Sequence, residues 1–200
     1  MIKKIFCVFG FALVLQLISG CIDCNCGPTK NISYTKKGLT LTSLDASLPQ
    51  PMIAKESKIS ATKFGVRMQV QIEELALRKS AIKFGLIPTA NACKCALDDY
   101  IAKENIAMIQ IFSDSDFDVN HPRNTDLSLY FKVKTFNSLI AITDYIKQPE
   151  NLSLASSLVF YDGIFLQTAP NLSKKHKFRV KLTLTDGRIL EAETLEVELI

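Results

Sequence analysis

The chain has 200 residues, 48% of them hydrophobic, 8% aromatic and 22% charged, with a formal net charge of +4. Those figures allow a packed core and exclude wholesale disorder, collagen-like repetition and a polytopic membrane protein. Six cysteines, two histidines and no tryptophan leave few ways to build a metal or nucleophile site, whereas carboxylates and hydroxyls are plentiful.

Lys3 and Lys4 precede an apolar run from Ile5 to Ile18, broken only by Gly10 and Gln16. The run is shorter than the roughly 20 residues a spanning helix needs, so residues 1–20 read as a secretory signal peptide. Its removal takes Lys3 and Lys4 with it and lowers the net charge to +2. A balance that small argues against an electrostatic nucleic-acid footprint, so no nucleic acid is expected as a partner.

The run ends in Leu17-Ile18-Ser19-Gly20-Cys21, which resembles the lipobox of bacterial lipoproteins. The resemblance implies that the Cys21 thiol is linked to a diacylglycerol, that a peptidase cuts before it, and that the protein is held on a membrane by its lipid. Each buried acyl methylene contributes about 0.8 kcal/mol, and two or three chains together anchor stably. A plain secreted protein with Cys21 in a disulfide, or an apolar N-terminal helix, is the alternative.

Residues 21–51 read as a lipidated tether, with the Pro49-Gln50-Pro51 turn near its end and an early strand in the alternation of Leu39-Thr40-Leu41-Thr42-Ser43-Leu44. Residues 52–200 then suit one β-rich domain. Phe64, Val66, Met68, Val70 and Ile72 alternate with Gly65, Arg67, Gln69 and Gln71, giving a strand with one apolar and one polar face. Ile106 to Phe112 reads as a more deeply buried strand. Leu127, Leu129, Phe131 and Val133 form a third alternating set, and Phe178, Val180, Leu182 and Leu184 a fourth. Strands with one wet face belong to antiparallel sheets, so the expected fold is mainly β: an antiparallel sandwich, immunoglobulin-like or similar, with one or two short helices.

Asn137 or Ser138 is positioned to cap a short helix carrying Leu139, Ile142 and Ile146, which ends before Pro149. Glu73 to Phe84 reads as a helix or a continued strand, and Asp98 to Glu104 as a turn of helix. Asp162-Gly163 divides two apolar runs as a second hairpin or bulge. At the C-terminus, Asp186-Gly187 separates two alternating runs, and a two-residue loop would pair Leu184 with Ile189. That register sends Glu191 and Glu193 into the phase of Leu195, Val197 and Leu199, so either a bulge near Ala192 or an open face must relieve them.

Four thiols remain for chemistry: Cys24, Cys26, Cys93 and Cys95. In an exported chain they read as two disulfides joining the Cys-x-Cys pairs, closing loops of about 70 residues worth roughly 4 kcal/mol in the chain-entropy model. A four-thiolate metal site is the sharper alternative, although Cys-x-x-Cys suits it better. Asp114, Asp116, Asp118 and Asn120 fall at alternate positions, as in the first half of a calcium loop. Val119 stands where that loop wants glycine and Thr125 where it wants glutamate, so a polar turn with side-chain caps is the plainer reading, with no cofactor, and calcium the alternative. His121 and His176 read as surface residues, and the basic cluster from Lys174 to Lys181 as a solvated strand face open to anionic sugar or lipopolysaccharide groups. No Gly-rich phosphate loop and no HExxH occurs.

Over most of its length the sequence resembles small lipoproteins of Bacteroidetes grouped as a domain of unknown function. The resemblance rests on the lipobox, the Ala92-Cys93 neighbourhood, Ile109-Gln110-Ile111-Phe112-Ser113-Asp114 with Asp116-Phe117-Asp118 and His121-Pro122, and the stretch from Phe178 through Asp186-Gly187-Arg188 to Glu193-Thr194. It implies an envelope lipoprotein on the outer membrane and brings no catalytic residue. The expected role is non-enzymatic binding of a ligand, glycan or envelope protein. An accessory hydrolase or calcium-dependent carbohydrate-processing protein using the Asp114–Asp118 carboxylates is one alternative, and a structural subunit of a surface assembly another.

Overall fold

Alternating side chains settle into strands across the residues that the computed structural model describes: 31–75, 99–135, 138–148 and 163–200. In chain order these strands are β1 (Asn31–Asp45), β2 (Met52–Ile53), β3 (Lys58–Ile59), β4 (Phe64–Glu74), β5 (Asp99–Ala102), β6 (Ile106–Ser113), β7 (Phe131–Lys134), β8 (Leu139–Ala141), β9 (Ile164–Leu166), β10 (Lys175–His176), β11 (Phe178–Leu184), β12 (Ile189–Glu193) and β13 (Val197–Leu199). One described α-helix, α1 (Ile142–Lys147), packs against β6, β7 and β8. The largest sheet has the order β2-β1-β4-β9-β7-β8, with β5 also paired to β1. Two smaller sheets run β12-β11-β6 and β10-β13-β3. The pairs β1–β2, β1–β4, β4–β9, β7–β9, β7–β8, β10–β13, β11–β12 and β6–β11 are antiparallel, and β13 with β3 is parallel. The protein is thus mainly β, consistent with a sandwich.

The core forms where the inward faces meet. Phe64, Val66, Met68 and Val70 of β4 join Ile109 and Ile111 of β6 and Val180 and Leu182 of β11 in one cluster of buried side chains. Phe178 stacks on Phe64 with centroids 5.0 Å apart and meets Phe131 edge-on at 5.6 Å. Offset and edge-to-face pairs of this kind add stabilisation beyond the area they bury. They link β11 directly to β4 and β7.

Several local expectations are corrected. The C-terminal hairpin is one residue out of the register expected from a two-residue turn: Leu182 lies opposite Leu190 and Thr183 opposite Ile189. The loop holds three residues, closed by Leu184 N–H to the Arg188 carbonyl at 2.9 Å and Gly187 N–H to the Leu184 carbonyl at 3.0 Å. Gly187 alone takes positive φ there, at 86°. A turn followed by a left-handed glycine is the three-residue alternative to the primed turn. The shift points Leu190 and Ala192 at the core and leaves Glu191 and Glu193 in solvent, so no bulge near Ala192 is needed.

Leu129 is 92% exposed because Ser128–Tyr130 is a 3-10 turn, not strand. The Asp126 carboxylate accepts both the Ser128 N–H and its hydroxyl, holding that turn closed. β6 is wet on one face, with Met108 44% exposed, rather than deeply buried. α1 starts later than the caps implied, after Leu139–Ala141 has paired with β7, and Ala141 occupies its N-cap. Asp99–Ala102 is strand, not helix, and pairs with β1. Of Glu73 to Phe84, Glu73 and Glu74 continue β4 and most of the rest lies outside the described residues, as does the run before Gly163.

Inside this apolar frame sits one ionic knot. Glu104, in the β5–β6 turn, is 3% exposed. Its Oε1 accepts the Lys36 N–H at 2.5 Å, the Thr35 hydroxyl at 2.8 Å and the Arg188 guanidinium at 2.9 Å. The Lys36 ammonium donates to the Glu104 carbonyl at 2.6 Å, and Arg188 reaches the Lys36 carbonyl at 2.9 Å and Asp186 at 2.7 Å. Burial alone would push the Glu104 carboxyl up, but the hydrogen bonds from Lys36 and Thr35 and the charge of Arg188 outweigh it and hold the carboxyl below its usual range. An extra residue in β1 between Lys36 and Gly38 changes the strand's phase beside the knot.

Removing one member of a buried ion pair leaves the others uncompensated. Glu104→Ala is therefore expected to lower the unfolding free energy by about 3 kcal/mol or more. Lys37→Ala, which breaks the exposed Lys37–Glu73 pair, is expected to cost less than about 1 kcal/mol. Urea unfolding of both variants checks this, and equal losses would contradict it. Since the folded Glu104 pKa lies below its unfolded value, its contribution is complete above about pH 4.5 and disappears as the pH falls through the folded value.

Candidate functional site

The outer face of the largest sheet carries the candidate site. In β9, Ile164 and Leu166 belong to the core cluster, so Phe165 between them points to the opposite face. There Phe165 lies across Gly65 of β4, where any Cβ would meet the ring at 2.5 Å. Glycine at that register position lets the aromatic ring lie flat on the sheet. Leu44, paired with Gly65 from the other side, is likewise buried and outside the core cluster.

Beside Phe165 opens a cavity of about 620 Å³. The 3-10 turn before β4 contributes Thr62 and Lys63, the end of β7 gives Lys134, the β7–β8 connection gives Thr135 and Ser138, and the residue after β9 is Gln167. Backbone bonds fix these positions apart from Thr62. The Lys63 carbonyl accepts Ala46 N–H at 2.9 Å, Lys134 N–H donates to Gly163 at 3.0 Å, Thr135 N–H to Ser138 at 2.8 Å and Gln167 N–H to Tyr130 at 2.8 Å. The Thr135 and Ser138 hydroxyls lie 3.0 Å apart. The Lys134 ammonium stands 5.9 Å from the Phe165 ring centroid and donates to the Pro49 carbonyl at 3.4 Å. Among the described residues, no carboxylate lines this cavity, and neither Lys63 nor Lys134 has one within ion-pair distance.

The residues singled out by sequence lie elsewhere. Cys21, Cys24, Cys26, Cys93 and Cys95 fall outside the described residues. Asp114, Asp116, Asp118 and Asn120 share one loop, but its carboxylates cap different donors. Asp114 accepts Lys177 N–H at 2.8 Å, Asp116 accepts Arg123 N–H at 2.8 Å, and Asp118 accepts the N–H groups of Asn120 and His121 at 2.8 and 2.9 Å. This is the polar turn with side-chain caps. Among the described residues, no group of three or more His, Cys, Asp or Glu is placed to hold a metal ion.

Asp118 also meets the His121 ring at 2.8 Å, while the Tyr130 hydroxyl donates to its other oxygen at 3.1 Å. Burial pushes the Asp118 carboxyl up, but the hydrogen bonds from the His121 ring, the Asn120 N–H and Tyr130 bring it below the usual carboxylate range. These groups bury the turn's polar atoms against Phe117, which is fully buried and packs on Tyr130.

His176 corrects the expectation of a surface histidine: it is fully buried between Phe117 and Phe178. Its Nε2 faces the Ser173 carbonyl at 2.9 Å and must carry the proton, so the Ser113 hydroxyl donates to Nδ1 at 2.8 Å. Ser113 is itself 2% exposed and accepts Ser115 N–H, so the pair ties β6 to β10 with no room for a substrate. The basic cluster from Lys174 to Lys181 is largely answered by acids: Lys175 pairs with Glu196 at 3.6 Å, and Arg179 and Lys181 stand opposite Glu193 and Glu191.

Residues 36–195 match the family described as Domain of unknown function (DUF5034). No curated protein and no solved structure matches the chain.

Burial holds the His176 imidazole below its ordinary value of 6.5. Below about pH 6.5 the unfolded chain takes up a proton that the folded ring refuses, so stability is complete above that value and falls as the pH drops. Urea midpoints measured from about pH 7 to about pH 5 are expected to decline in the wild-type protein and to decline less in His176→Phe. An unchanged slope in the variant would contradict the assignment.

Proposed function

The chain belongs to the DUF5034 family, and from its own residues we propose that it is a non-enzymatic envelope lipoprotein, anchored through Cys21, that binds a small ligand or glycan in the cavity over Phe165. The observation that carries the binding half is that cavity. Its volume of about 620 Å³ is ample for a small molecule. It is built from a rigid sheet face and three connections, the arrangement in which loops carry function on a fixed scaffold.

The anchoring half rests on the signal peptide and on Leu17-Ile18-Ser19-Gly20-Cys21. No described helix is long and apolar enough to cross a membrane. An outer-membrane address follows from the resemblance to Bacteroidetes lipoproteins. Exported, the protein meets an oxidising compartment, and Cys24, Cys26, Cys93 and Cys95 are then cross-link partners.

Two competing roles have less support. General acid–base hydrolysis wants two carboxyl groups in contrasting environments, and the described cavity lining supplies none. Assembly by strand addition wants a long, open, uncharged sheet edge, whereas of the edge strands β12 carries Glu191 and Glu193 in solvent and the exposed, apolar β2 is only two residues long.

Two measurements test the proposal. Radiolabelled palmitate is expected to enter the wild-type protein and not Cys21→Ser, which should leave the membrane fraction. Label in the variant, or its retention on the membrane, would contradict anchoring at that thiol. In a screen of glycans and small metabolites, at least one ligand is expected to bind the wild-type protein and to lose affinity when Ser138→Trp fills the cavity. Binding that is indifferent to that substitution would place the ligand elsewhere.

A further inference from the structure

Four cavities among the described residues differ in charge. The smaller ones, of about 280 and 310 Å³, mix signs: Asp45 and Glu56 face Lys55 and Lys58 in one, and Lys55 faces Glu56 and Glu196 in the other. A fourth, of about 340 Å³ between β6 and α1, is mostly apolar, with Lys147 at its edge. The cavity over Phe165 alone combines two lysines with three hydroxyls and an amide and has no acid among its described lining residues.

We infer that this cavity takes a sugar-sized anion, a saccharide bearing a carboxylate or phosphate group, with Lys63 and Lys134 answering the charge and Thr62, Thr135, Ser138 and Gln167 answering the hydroxyls. The inference rests on the reading of this cavity as a ligand site and names the ligand's class.

Each part has a physical reason. The ammonium groups of Lys37, Lys58 and Lys175 meet carboxylates at 2.5, 3.4 and 3.6 Å. Among the described residues, neither Lys63 nor Lys134 has a carboxylate within ion-pair distance, so this concave lining carries one sign of charge, and such a lining attracts the opposite ion. An ammonium has three donors. Lys134 directs one to the Pro49 carbonyl, leaving others to offer. Its position over Phe165 restrains the stem of the side chain, lowering the entropy lost on binding.

The polar lining suits a polyol rather than an inorganic ion. The Thr135 and Ser138 hydroxyls each donate and accept, and with Gln167 they offer both senses of hydrogen bond. Gln167 is held by its side-chain amide on the Phe165 carbonyl at 2.9 Å, which fixes where its oxygen points. Leu139, 45% exposed at the rim, gives the C–H face of a sugar ring an apolar surface. Phe165 is only 5% exposed, so it serves as floor and not as a stacking platform.

The test is isothermal titration of the purified protein with glucuronic acid, glucose 6-phosphate and glucose, at low and high salt. The variants are Lys63→Met/Lys134→Met and, outside the cavity, Lys177→Met, with thermal melts to verify folding. At least one of the two charged sugars is expected to bind about tenfold or more tighter than glucose, to weaken with salt, and to lose about tenfold in the double variant but not in Lys177→Met. Whichever binds identifies the anionic group. Equal affinity for glucose, or unchanged affinity in the double variant, overturns the inference. If glucose binds and Ser138→Trp blocks it, the cavity stands as a ligand site and only its preference for anions fails. If none of the three sugars binds, the inference is likewise overturned, and the broader ligand screen with Ser138→Trp decides the cavity separately.

Discussion

One buried carboxylate oxygen, Oε1 of Glu104, holds together segments that are far apart in the chain. It gathers the backbone of Lys36, the hydroxyl of Thr35 and the guanidinium of Arg188. Through them, β1, the β5–β6 turn and the β11–β12 hairpin meet at one point. Ions are costly to take out of water, and this cluster is tolerable only because nearly every charge in it has a partner. Its geometry is demanding in a way that apolar packing is not. Arg188 reaches Lys36 and Thr35 from the position directly after Gly187, so the length of that hairpin loop and the placement of the knot depend on each other.

The same logic of fixed, satisfied polar groups extends to the loops. Ser113 and His176 lock β6 to β10 beneath Phe117, and Asp114, Asp116 and Asp118 hold the following loop by capping backbone N–H groups. Those carboxylates are engaged as caps, and the cavity proposed as the ligand site lies apart from them, on the outer face of the largest sheet. There Gly65 admits the Phe165 ring, and two lysines border a cavity with no carboxylate among its described lining residues.

How much of this was legible in the sequence depends on how local each signal is. The β4 and β11 strands were readable because their side chains alternate without interruption, and the antiparallel, mainly β fold follows from that habit. The hairpin's existence was readable from Asp186-Gly187, but its register was not, since the same dipeptide serves both two- and three-residue loops. The solvent preference of Glu191 and Glu193 decides between them. Leu129 kept the strand's alternation yet lies in a turn, because Asp126 and Ser128 bond locally and outcompete the sheet there. Glu104, Lys36 and His176 have hydrogen-bond partners 63 to 152 positions away in sequence, which no pattern in one chain reveals. The cavity was invisible for the same reason: Lys63, Lys134 and Gln167 each look like any residue on a wet strand end until the fold assembles them. The cysteines are the reverse case, prominent in sequence and outside the described residues.

The central claim is that the space over Phe165 is where this protein meets its ligand. Amide chemical-shift mapping during titration with glucuronic acid or glucose 6-phosphate tests it most directly. The account predicts changes concentrated at Thr62, Lys63, Lys134, Thr135, Ser138 and Gln167. Changes centred instead on the Asp114–Asn120 loop or on the Lys174–Lys181 strand face would contradict it.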